Sequence, residues 1–184
     1  GSLAAATSMF PLRIPGRSAT DFLPAYDPAP AKQELAAAGY PGGAGFPTVT
    51  LVSTDTGFDA AILADLKRNL GITLKYETLD FNDYFDRLAT DPPAMWTLSW
   101  VADYPGSNDF LGLLLGTGSS NNYGHWTSAD FDAAIGRATA ASSPADATAA
   151  FDAAQAIVHD QVPVVPVAYG TGFALVTSVI SAPD

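Results

Sequence analysis

The residues with the clearest chemical capacity lie at the end of one aromatic stretch, Met95 to Phe110, MWTLSWVADYPGSNDF. Trp96, Leu98 and Trp100 alternate along what reads as a strand over Met95–Val101, which then delivers Asp103, Tyr104 and Pro105 into a polar turn. A carboxylate just beyond an apolar strand suits the rim of a cleft, where ligands of α/β sheets bind. Two roles are open to Asp103. It could cap a turn or short helix over 106–115, a place for which Ser107 and Asn108 also compete. It could instead be a partly desolvated carboxylate facing a cleft. The residue chemistry leaves both standing. Core packing accounts for at least two of Trp96, Leu98 and Trp100, although tryptophan also offers flat contact area at ligand sites at low entropy cost.

Other chemistries find no support. The chain has no cysteine, which excludes disulfides, thiolate catalysis and cysteine-based zinc sites. His125 and His159 are the only histidines, far apart in sequence and without a second ligand one helical turn away. His159 falls in the last turn of a predicted helix, where an imidazole meets the free carbonyls favourably. The cluster Asp80, Asn82, Asp83 and Asp86 lacks the glycine and the bidentate glutamate of a calcium loop, so helix capping explains it more simply. GYPGGAG over Gly39–Gly45 follows a helix and precedes a strand, the reverse of a phosphate-cradling loop, and GTGSS over Gly116–Ser120 reads as a surface loop. No GxSxG elbow is present. A hydrolase pairing Asp103 with Asp109 would have to hold two acids on a Pro-Gly-Ser-Asn turn, which is a poor rigid support. The expectation is a protein that is not an enzyme and needs no metal or cofactor.

Composition narrows the partners. Nineteen acidic residues against eight basic ones give a net charge of −11, with no basic cluster. That argues against nucleic acid and against an anionic membrane surface. The 48% hydrophobic content is ample for a sizeable core, and no apolar run approaches the roughly 20 residues of a membrane-spanning helix. Only 15% of residues are charged, so the surface either relies on Ser, Thr, Asn and Gly or is partly covered by something else. Gly1-Ser2 reads as a cloning remnant without an initiator Met, and the expectation is an excised piece of a longer protein.

The elements that must position Asp103 follow from local signals. Residues 1–25 form an irregular lead-in or linker broken by Pro11, Pro15-Gly16 and Pro24. Asp27-Pro28 opens a helix that Gly39 closes. Thr48–Ser53 reads as a strand, 57–69 as a helix closed by Gly71, and Ile72–Glu77 as a half-buried strand. Asp80 caps the next helix, which carries Tyr84, Phe85 and Leu88. A short apolar turn falls at Phe110–Leu115. Thr127–Asp130 reads as a capping box before a helix with Phe131, Ala134, Ile135 and Ala138, and Ser143-Pro144 opens another with Ala147, Phe151, Ala154 and Val158. VPVVPVAY over 162–169 is extended, and Phe173–Ile180 returns as a last strand. Strands alternating with helices predict βαβ units and an α/β fold whose mixed, mostly parallel sheet is flanked by helices.

Several of these segments are also familiar. WVADYPGSNDFL at 100–111 resembles a signature of family 5 extracellular solute-binding proteins, the peptide- and nickel-binding receptors of ABC importers. YDPAPAKQELAAAGYP at 26–41, FPTVTLVS at 46–53, NLGITLKYETLDFNDYFDRL at 69–88, DFDAAIGRA at 130–138 and DQVPVVPVAY at 160–169 are similar to further family segments, in the same order. The resemblance implies one lobe of a type II periplasmic-binding-protein-like fold, with 26–184 as a single lobe. It further implies a missing first lobe, ABC permease partners, and an extracellular or periplasmic location with a lipid anchor. In the family's peptide-binding members the acid of this motif pairs with the ligand's α-ammonium. Asp103 holds that position, and Trp100, Tyr104, Ala102 and Trp96 are the accompanying wall candidates. The strand leading into the motif carries Thr97 and Ser99 where some oligopeptide receptors have an arginine, so carboxylate recognition from this side is not implied. Solute-binding domains of this type also occur fused to DNA-binding modules, which leaves a ligand-sensing domain of a transcription regulator as the alternative.

Overall fold

Caps and glycines punctuate the chain much as the local signals predict. The computed structural model describes residues 3–11 and 13–170. These divide into two units. One comprises Pro24–Asp103 with Thr117–Trp126, and the other the described residues of Gly1–Leu23, Tyr104–Gly116 and Thr127–Asp184. Among the described residues no helix is long and apolar enough to cross a membrane.

The first unit is a parallel sheet with its crossover helices. Helix α1 (Pro28–Ala37) starts at Asp27, whose side chain accepts from the Ala29 amide at 2.9 Å, with proline at the first helical position. Strand β2 (Thr50–Ser53) leads into α2 (Asp59–Leu70), which ends on Gly71 at φ 72°. A Cβ there would collide with the Gly42 carbonyl, so the position needs glycine for its close approach as well as its φ. Strand β3 (Lys75–Thr78) leads to α3 (Phe81–Thr90), capped by Asp80 through the amides of Asn82 and Asp83. Strand β4 (Met95–Trp96) completes a sheet of order β3-β2-β4, in which β2 is parallel to both neighbours. Val52, Tyr84 and Leu88 are buried together, with Leu79, Phe85, Trp96, Leu98 and Tyr123 packed against them.

The second unit is largely helical. Strand β1 (Leu3–Ala5) pairs antiparallel with β5 (Ala168–Gly170). Helices α4 (Ser107–Phe110) and α5 (Gly112–Leu115) are single turns. Helices α6 (Ala129–Thr139) and α7 (Pro144–Gln161) pack on each other. Phe10, Phe110, Phe131, Ala134, Phe151, Ala154 and Val158 are buried here, and the Phe10 and Phe110 ring centroids lie 5.9 Å apart. The lead-in is pinned rather than loose. The Tyr169 hydroxyl accepts from the Ser8 amide at 2.9 Å and donates to the Ser8 carbonyl at 2.9 Å, and Ser8 also bonds the buried Gln155.

Several predicted bounds shift. Strand 48–53 contracts to Thr50–Ser53, and the strand over Ile72–Glu77 becomes Lys75–Thr78, every residue of which is exposed. The burial alternation holds at Ile72 and Leu74 and then breaks, because Tyr76 turns its hydroxyl toward Asp59. The cap of α6 is Ser128, which accepts from the Phe131 amide, rather than Thr127. The predicted strand Phe173–Ile180 lies outside the described residues.

Candidate functional site

The strand predicted over Met95–Val101 is only two residues long. Met95 and Trp96 pair with Leu51 and Val52, and the Thr97 amide adds one bond to the Val52 carbonyl at 3.2 Å. The reason is the partner's length. β2 ends at Ser53, so the chain beyond Thr97 has outrun the ladder. It continues without regular structure to Asp103, and burial still alternates along it. Leu98, Trp100 and Ala102 are half-buried, whereas Ser99, Val101 and Asp103 are exposed, Val101 to 85%.

That alternation sorts the predicted site residues. Trp96 packs against the buried Val52, Tyr84 and Leu88, and a Cβ on Gly124 would lie 3.3 Å from its ring. Together with Leu98 it forms core, as the sequence reading allowed for two of the three alternating residues. Trp100 and Ala102 share the half-buried side, and Asp103 lies on the exposed side of the same segment. Tyr104 is 44% exposed and belongs to the second unit, where its hydroxyl accepts from Asn108 Nδ2 at 3.2 Å. Asp103 does not hold the N-cap position of α4. The N-cap of α4 is Gly106, with no side-chain cap, and the Ser107 hydroxyl donates instead to the Pro15 carbonyl at 2.7 Å. Asp109, the other acid of the hydrolase pairing, is fully buried.

A second carboxylate was missed by the sequence reading. Asp59, at the first turn of α2, is only 2% exposed. Its Oδ2 accepts from the Ser53 hydroxyl at 2.6 Å, the Thr56 amide at 3.1 Å and the Tyr76 hydroxyl at 3.0 Å, and its Oδ1 from the Thr56 hydroxyl at 2.7 Å. Burial pushes this carboxyl up, but the bonds from Ser53, Thr56 and Tyr76 outweigh it and hold it below the ordinary aspartate value. The positive end of α2 favours the charge as well. Ser53 in turn accepts from the Thr97 hydroxyl at 2.8 Å and the Asp55 amide at 3.0 Å. The Tyr84 hydroxyl donates to the Thr97 carbonyl, and burial pushes that phenol far above its usual range, so it stays a neutral donor. The local signal is the polar run Ser53-Thr54-Asp55-Thr56 at the carboxyl end of a strand.

A parallel β-α-β sheet that sends an acid-tipped segment past its carboxyl edge has the layout of a binding lobe, and known structures share it. The murein tripeptide binding protein MppA of Escherichia coli superposes with a TM-score of 0.78 at 25% identity, over 90% of this chain and 34% of that one. The periplasmic binding protein DppA of Helicobacter pylori, solved with peptide STSA, gives 0.79 at 26% identity over 90% and 33%. The fold is thus an α/β lobe of the periplasmic-binding-protein type. The family profile "Bacterial extracellular solute-binding proteins, family 5 Middle" matches residues 1–122, and the chain belongs to this family. Heme-binding protein A of Haemophilus influenzae is 32% identical over 81% of this chain and 28% of its own length. Di/tripeptide-binding protein 1 of Pseudomonas aeruginosa is 28% identical over 79% and 28%. The chain therefore spans under a third of these curated relatives.

Proposed function

We propose that the chain is the ligand-binding second lobe, residues 26–184 with a lead-in over 1–25, of a solute-binding protein that feeds small peptides to an ABC permease. The observation that carries this reading is Asp103, held exposed at the end of a segment rooted in the parallel sheet; the resemblance of its motif to that of the family's peptide receptors implies an α-ammonium as its partner. Relatives named for di- and tripeptides and for murein peptide support the ligand class. In the whole protein, hinge closure brings the first lobe over Asp103 and expels water, which strengthens a charge-assisted bond. Trp100, Ala102 and Trp96, and separately Tyr104, are the further ligand-contact candidates that the family motif implies. The protein acts outside the cytoplasm, lipid-anchored, and performs no catalysis.

Calorimetry on the full-length protein tests this with trialanine and N-acetyl-trialanine. Trialanine binds, and acetylation or Asp103→Asn each remove about 3–5 kcal/mol of affinity, because one buried charge is left unpaired. Equal affinity for the two peptides, or an unchanged affinity in Asp103→Asn, would sink the assignment. Haem is the informative competitor, given the Haemophilus influenzae relative named for it.

A further inference from the structure

The route by which the Asp103 segment is anchored is unusual in being polar. Thr97 lies at the root of the segment and is tied at three atoms, two to β2 and one to α3. Its amide donates to the Val52 carbonyl at 3.2 Å, its carbonyl accepts from Tyr84, and its hydroxyl donates to Ser53 at 2.8 Å. The direction of the last bond is set elsewhere. An ionised carboxylate can only accept, so the Ser53 hydroxyl spends its one proton on Asp59, 2.6 Å away. Its oxygen is left with lone pairs alone, and these receive Thr97 and the Asp55 amide. Asp59 is fixed by Thr56 and by Tyr76 from β3, both independent of Ser53. The chain Asp59–Ser53–Thr97 thus joins the start of α2, the end of β2 and the root of the 98–103 segment, all within one unit.

We propose that Asp59 is a positioning residue that acts through Ser53 and Thr97 to fix the segment carrying Trp100 and Asp103. The proposal rests on the peptide-binding reading above for its ligand, but its geometry can be tested without one. A hydrophobic residue at 97 would keep the β4 ladder and lose only the hydroxyl, so Thr97→Val removes the link at constant shape. Thr97→Ser keeps it.

The experiment is amide hydrogen exchange on the full-length protein, followed by trialanine calorimetry on the same variants. In Thr97→Val and Asp59→Asn, amides 98–103 exchange at least tenfold faster, while those of α6 and α7 stay within twofold of wild type. Trialanine binding weakens about tenfold in each, the double variant is no weaker than either single one, and Thr97→Ser stays within twofold. Unchanged exchange at 98–103, or equal acceleration in α6 and α7, overturns the proposal, as does additive loss in the double variant. If the wild type does not bind trialanine, the ligand reading falls while the exchange data still decide the positioning role.

Discussion

Asp59 has a measurable signature of its own. Its carboxyl is held below the ordinary aspartate value in the folded chain, so its stabilisation is complete above the unfolded aspartate range and is lost as pH falls through that range toward the folded value. Asp59→Asn exchanges an acceptor for an amide that faces hydroxyl and amide donors, and should lower stability at pH 7 by about 1–3 kcal/mol. The deficit should shrink as pH falls through the unfolded aspartate range toward the lower folded value, where the ionised Asp59 favours the folded state less and less. Urea unfolding midpoints measured across that range check both the size and the sign, and a deficit that does not vary with pH would contradict the hydrogen-bonded carboxylate. At this scale the sequence was informative where a residue acts on near neighbours. The caps Asp27, Asp80 and Ser143 reach amides two or three positions on, and each is found where its spacing placed it. Asp59 escaped because its partners run from Ser53 to Tyr76, and the next link reaches Thr97. No local period connects those positions.

Elements were legible in type and less so in extent. A helix carries its own hydrogen bonds, and α1, α2, α3, α6 and α7 each appear close to where caps and closing glycines placed them. A strand ends where its partner ends. That is why the predicted strand Met95–Val101 shrank to two residues, and why β1 went unseen: its partner β5 lies at the other end of the described chain. Gly71 shows how much one closing residue can hold. It sits at φ 72°, and a Cβ there meets the Gly42 carbonyl. Gly71→Ala should therefore destabilise the chain by at least about 1–2 kcal/mol from the left-handed backbone alone. Gly39→Ala, at φ 94° but with open space around its Cβ position, should be milder. Thermal unfolding of the two variants side by side checks the ordering, and equal losses would mean that the contact with Gly42 contributes nothing.

For the molecule as a whole, charge and apolar exposure pull in opposite directions. The net charge is −11 near neutrality, yet Val162, Val165 and Val167 are 58%, 62% and 44% exposed. Repulsion between copies keeps such valines apart only while the charge lasts. Turbidity should therefore peak near the isoelectric point of about 4.2 and clear on either side, and Val165→Lys should reduce the peak. A peak unaffected by that change would point to another surface. The β1–β5 ribbon has a mechanical consequence. Leu3 faces Gly170 and Ala5 faces Ala168, so a tension that separates Leu3 from Gly170 loads the pairs one after another, as a zipper is opened, and never all together in shear. Such a junction peels at low force. The load then passes to the Tyr169 hydroxyl, whose bonds to Thr7 and Ser8 form the first stop along the chain.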